Sequence, residues 1–130
     1  MEPIPPPTST PGQDRTWAVL AHATGLSNLI GIPSIIGPLI IWLLRKDDPS
    51  VEPHARESLN FQISIWIYAL GGGLLGILLI VTIVGIVLLP VLLLAAVILG
   101  ILSIVFPVIG ALKASNGEMY RYPITLRLLT

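Results

Sequence analysis

SLNFQISIWIYALGGGLLGILLIVTIVGIVLLPVLLLAAVILGILSIVFPVIGAL, residues 58–112, contains no Asp, Glu, Lys or Arg. A helix crosses the hydrocarbon core of a bilayer with about 20 apolar residues. This stretch therefore has room for two crossings and a reversal. The reversal is expected between Gly85 and Pro90, where a helix breaker follows a flexible residue. The helix before it runs from about Leu59. The helix after it runs from about Leu89 to Ala114, with a kink at Pro107. Asn116-Gly117 ends it, with Lys113 favourably placed in its last turn. Gly71, Gly72 and Gly73 weaken the first of these helices locally but permit close approach of a neighbouring backbone.

Upstream lies RKDDPSVEPHARE, residues 45–57, the most charge-dense part of the chain. Asp48-Pro49 is a turn signal, and Ser50 is the expected N-cap of the next helix. Glu52 suits its first turn, and Pro53 is tolerated there. Glu52 and Arg56, one helical turn apart, are expected to pair.

Before that turn, residues 16–44 again carry no charge, but Asn28, Gly31, Pro33 and Gly37-Pro38 interrupt them. An unbroken helix of this length would reach about 43 Å. Divided near Gly31 it yields one helix over about 16–30 and another over about 34–45. Each would reach only about 18–23 Å, so a broken or hairpin-like pair is expected. Broken helices survive at membrane depth where protein or water satisfies the freed backbone groups. Whether the two pieces each cross or together dip into the bilayer is left open. Residues 1–14 read as a disordered Pro-rich tail. The fold class is thus an all-α integral membrane protein. A single transmembrane helical domain over 15–130 is formed by a short, broken first pair and two longer transmembrane helices.

The composition, 54% hydrophobic and 11% charged, agrees, since soluble domains carry about 25% charged residues. Net charge is zero, which gives no reason to expect nucleic acid as a partner. The chain has no cysteine, so disulfides and thiolate metal sites are excluded. No Gly-x-Ser-x-Gly elbow and no phosphate loop is present. No enzyme activity and no cofactor is expected.

Five polar residues stand out. His22 is an ionisable side chain within the first apolar block, and such groups are functional candidates by default. The structural alternative is a neutral imidazole bonded to a neighbouring helix, for instance at Asn60 or Gln62. His54, Glu57, Asn60 or Phe61, and Ser64 recur at spacings that place them on one helical face. His22, His54, Glu57, Asn60 and Gln62 are accordingly the candidate intramembrane or interfacial cluster. The HxxE spacing lacks the further ligands of a zinc or di-iron site, and no metal is assigned. Arg45, Lys46 and Arg56 are candidate lipid-headgroup contacts. Their alternative role is to orient the chain while Asp47, Asp48, Glu52 and Glu57 neutralise them. Tyr120 and Tyr122, with Arg121 and Arg127, look like an interfacial anchor.

If the first block returns to its starting side, all seven basic residues share one side of the membrane. The positive-inside rule then places the 45–57 loop, the C-terminus and the N-terminus in the cytoplasm. The cell membrane, in a bacterium the inner membrane, is the expected location.

Four phrases occur in order: RTWAVLAHATGL, IIGPLIIWLLRKD, VEPHARESLNFQIS and ALKASNGEMYRYPITLRLL. Over residues 15–130 they resemble a family of small bacterial membrane proteins of unassigned function. That family is itself similar to the twenty-kilodalton Tic component of the chloroplast inner-envelope protein translocon. The resemblance implies four helices with both termini on one side. The absence of catalytic motifs, the short helices and the glycines available for close packing point first to a non-catalytic scaffold or assembly component, associating with itself or with a larger membrane-protein complex. The broken first pair with His22 and Asn28, together with the resemblance, suggests the alternative of an oligomeric channel or translocation unit, in which several chains would supply the polar lining that one lacks.

Overall fold

The computed structural model describes residues 11–130, and every regular element among them is helical. The order is α1 (Pro11–Ala23), a 3₁₀ segment (Thr24–Ile30), α2 (Ile36–Arg45), α3 (Glu52–Ile80) and α4 (Ile83–Ser115). The expected tail over 1–14 falls mostly outside the described residues. Its last four residues instead open α1. Proline needs no N–H at a helix start, and Asp14 lies in the first turn, where the helix dipole favours a carboxylate.

The expected helix over 16–30 changes form after Ala23. Thr24–Ile30 winds as a 3₁₀ segment, and the Thr24 hydroxyl donates to the Leu20 carbonyl at 2.7 Å. Gly31 ends the segment at φ 81°, a conformation that glycine reaches without steric cost. Ser27 and Asn28 then tie the turn. The Ile32 N–H donates to the Ser27 carbonyl at 3.1 Å, and the Ser34 N–H donates to Asn28 Oδ1 at 2.9 Å. The chain doubles back so closely that a Cβ on Gly37 would collide with Thr24. The first pair is therefore a hairpin. Its tip, with Leu29, Ile30 and Ile32, is exposed and apolar.

Ser50 does not cap α3. The residue before the helix is Val51, which offers no side-chain acceptor. Asp48 organises the turn instead: its carbonyl accepts from the Glu52 N–H at 2.8 Å, and its carboxylate accepts from the Ser50 N–H at 3.0 Å. The Glu52–Arg56 pair forms at 3.5 Å. Helix α3 then runs unbroken through Gly71–Gly73.

The reversal comes earlier than Gly85–Pro90. It occupies Val81 and Thr82, and Gly85 to Pro90 are helical. Thr82 decides this, because its extended backbone and hydroxyl cap α4 by accepting from the Gly85 N–H at 3.0 Å. Gly85 is needed for proximity rather than for the turn: a Cβ there would strike the Leu79 carbonyl. At the other end of α4, the Glu118 N–H donates to the Lys113 carbonyl at 2.9 Å and Gly117 takes φ 76°, so the helix stops where Asn116-Gly117 predicts.

Helices α3 and α4, of 29 and 33 residues, are both long and apolar enough to cross a membrane. They would extend about 43 and 50 Å. Between Trp66 and Phe106 only Gly76 and Gly85 are buried. The core lies at one end, where α1, the 3₁₀ segment and α2 cover the start of α3 and the end of α4. One apolar cluster there joins Ala21, Ile41, Val51 and Ala55. A second joins Phe61, Ile65 and Tyr122. The basic residues also gather at this end. Arg15 sits against Gly117, Arg45 lies over the Trp17 ring at 4.5 Å, and Lys113 pairs with Glu118 at 3.2 Å.

Candidate functional site

The first four turns of α3 carry the polar residues, and the helix places them on two faces. One face receives the hairpin of α1 and α2. The other receives the C-terminal tail, residues 118–130, which has no regular structure. A backbone without helix or sheet must find partners for its own N–H and C=O groups, the more so close to a membrane. Helix α3 supplies them. Glu57 accepts from the Tyr122 N–H at 2.6 Å. Asn60 donates to the Leu129 carbonyl at 3.0 Å and accepts from the Leu129 N–H at 2.9 Å, as a neighbouring strand would. Ser64 accepts from the Leu126 N–H at 2.8 Å. The Tyr68 hydroxyl donates to the Ile124 carbonyl. The tail reaches its deepest point at Ile124, whose φ of 56° turns it back. Glu57, Asn60 and Ser64 thus do lie on one face, as their spacing predicts. That face is a rail for the tail.

His22 is fully buried, as its structural reading anticipates, but its partners are neither Asn60 nor Gln62. Its Nδ1 lies 2.7 Å from the Tyr122 hydroxyl and its Nε2 lies 3.1 Å from His54 Nδ1. A neutral imidazole has one donor and one acceptor nitrogen. With Tyr122 donating to Nδ1, the Nε2–H of His22 donates to His54; the reverse direction satisfies the same atoms. Burial, and secondarily the neighbouring His54, lowers the His22 pKa to about 3. Burial likewise pushes the Tyr122 phenol upward. His22 and Tyr122 are therefore neutral throughout the physiological range. Gly110 makes room for it, since a Cβ there would stand 2.6 Å from His22 Nδ1.

Tyr122 is the centre of this arrangement. Its ring stacks on Phe61 with centroids 4.3 Å apart and is 1% exposed. The expected role of Tyr122 as an interfacial anchor is thus corrected: its neighbours enclose it and use its hydroxyl. Gln62 faces away from this group toward Gly25 of the 3₁₀ segment. Of the five candidates, His22 and His54 meet directly, Glu57 and Asn60 hold the tail, and Gln62 stands apart. Sequence reasoning misses Tyr122 and Arg127 as members. Arg127 closes the rail by pairing with Glu57 at 3.0 Å and donating to the Tyr122 carbonyl at 3.1 Å. The available signal is the set of hydrogen-bonding groups in an apolar helix, which require partners somewhere in the chain.

Among the described residues no three His, Asp or Glu side chains converge as a metal site. The three headgroup candidates also separate. Arg45 pairs with Asp48 at 3.7 Å, and Lys46 is exposed beside it. Arg56 instead lines a cleft with Arg121 and Arg127.

Comparison with known proteins gives one match. The model of the MamF/MmsF family, described as the magnetosome magnetite crystal formation protein family, matches residues 13–129. No curated protein and no solved structure matches the chain. These comparisons give the expected likeness to the chloroplast Tic component no support; the bacterial membrane family is the one that stands.

Proposed function

The chain belongs to the MamF/MmsF magnetosome magnetite crystal formation family, and from that premise we propose that it is a non-catalytic membrane scaffold. In this reading it contributes to crystal formation by assembling with itself or with other proteins in the membrane. The observation that carries the reading is the division of its surface. Leu74, Ile77, Leu78, Val91, Leu94 and Val97 of the long pair are each 59% or more exposed. The buried polar groups, by contrast, gather at the other end, within the folded part of the chain. A pore lining needs polar groups free to meet water or ions. Four of the polar candidates for such a lining, His22, Asn28, Asn60 and Ser64, instead bond internally, and Ser34 and Gln62 are enclosed rather than open to a water path. This favours assembly over conduction.

The same division supports a topology. Helices α3 and α4 cross, and the α1–α2 hairpin enters from the side where its ends lie and returns to it. Helix α1 spans only about 20 Å and α2 about 15 Å. The exposed tip at Leu29–Ile32 suits lipid rather than water. The clustered basic residues favour the cytoplasm for this end, with the short turn at Val81–Thr82 on the opposite side.

Photo-crosslinkers at Leu74 and Val91, in native membranes, test the proposal. Specific adducts to a second copy or to a defined membrane protein are expected. Adducts to lipid alone, with a monodisperse monomer after extraction, would overturn it.

A further inference from the structure

We propose that the cleft between the start of α3 and the C-terminal tail binds a phosphate group through Arg56, Arg121 and Arg127. The cleft holds about 460 Å³ and is lined also by Glu57, Asn60, Met119 and Leu129. Arg56 stands 65 or more positions from Arg121 and Arg127 in sequence, yet all three line the one cleft. Only the return of the tail along α3 unites them. Among the lining side chains three cations face one carboxylate, that of Glu57, which Arg127 already holds at 3.0 Å, and Thr130 with its main-chain carboxylate lines the cleft as well. Arg56 has Glu52 at 3.5 Å, outside the cleft.

The arginines retain unused donors. Arg127 gives its Nη2 to Glu57 and to the Tyr122 carbonyl, while its Nη1 is enclosed and has no acceptor among the described residues. A buried donor without an acceptor is costly, and a guanidinium retains its charge at every physiological pH. Arg121 is exposed. Guanidinium forks match the oxygens of a phosphate, with two parallel hydrogen bonds to one group. The apolar walls from Met119, which is 45% exposed, and Leu129 adjoin the charged end of the helix pair. The site would thus meet a phosphodiester at the surface of a bilayer as readily as a free phosphate in solution. The two sources share the same chemistry.

The proposal is independent of the scaffold reading, and its test reads binding rather than assembly. Delipidated full-length protein in nonionic detergent is examined by native mass spectrometry with phosphatidylglycerol, with phosphatidylcholine and with inorganic phosphate, each added alone. Wild type is expected to retain phosphatidylglycerol or phosphate. R121A, which removes an exposed side chain from outside the folded core, is expected to weaken retention about fivefold, the effect of one cation near an anionic surface. R121K should restore part of it. R45A and K46A, at the other basic cluster, should leave it unchanged. Retention of phosphatidylglycerol without inorganic phosphate assigns the site to a lipid headgroup. Retention of both assigns it to phosphate as such. No retention of either, or equal losses in R121A, R45A and K46A, would overturn the proposal.

Discussion

The two halves of α3 obey opposite rules. From His54 to Ile65 the helix buries nearly every side chain, polar ones included. From Trp66 to Ile80 it is almost wholly apolar, and Gly76 is its only buried residue. In water the second half would be the anomaly. In a bilayer it needs no explanation, and the first half does. Three of its buried polar groups, Glu57, Asn60 and Ser64, have a purpose there, because they satisfy a backbone that has no secondary structure of its own. What separates the halves is therefore the chain packed beside the first one, the α1–α2 hairpin on one face and the irregular tail on the other.

The comparison breaks most severely at Tyr122. Y122A removes the stack on Phe61 and leaves His22 Nδ1 without its partner, so a loss of about 3–5 kcal/mol is expected. Thermal unfolding in detergent reads it, and a midpoint unchanged within error would refute the central place of this ring. E57Q comes next. It leaves the Arg127 guanidinium without its buried counter-charge, and about 3 kcal/mol is expected from the removal of one partner of such a pair. Proteolysis of the tail in E57Q should accelerate correspondingly, while the long helices stay protected.

G110A follows, at about 1–3 kcal/mol, because its methyl group must displace His22 or Tyr122 from a filled space. Acid sharpens the comparison further. The folded pKa of His22 is lowered from 6.5 to about 3. The unfolded chain therefore takes up a proton near pH 6.5 that the folded chain refuses. Stability from this group is complete above pH 6.5 and declines as pH falls toward 3, by about 1.4 kcal/mol per pH unit at most. Midpoints measured between pH 7 and 4.5 should fall less steeply in H22Q than in wild type. At the small end, L78A on the exposed half of the helix should change the midpoint by no more than about 0.5 kcal/mol.

Much of this division is legible in the sequence. The uncharged run from Ser58 to Leu112 requires two long helices, and Gly31 with Pro33 requires a break in the first block. The helix stop at Asn116-Gly117 is a local signal and falls where expected. The reversal is displaced from its expected position because Gly85 and Pro90 are strong local breakers, whereas one hydroxyl, that of Thr82, caps α4 a few residues earlier. The polar face of α3 is visible as a spacing, but its purpose is not. That purpose depends on Tyr122, Leu126 and Leu129, which lie more than 60 residues away and carry no periodicity to announce where they dock. Tyr122 in particular resembles its neighbour Tyr120 in sequence, and only the folded chain distinguishes the enclosed ring from the more exposed one.

The most direct test uses the absence of cysteine from the chain. Single-cysteine variants at Ile30, Lys46, Val81 and Asn116 are exposed in turn to a membrane-impermeant maleimide in sealed vesicles of each orientation. The account predicts labelling of positions 46 and 116 from one side and of position 81 from the other, with position 30 protected from both. Labelling of position 30 from the same side as position 81 would mean that the first hairpin crosses the bilayer, and would contradict it.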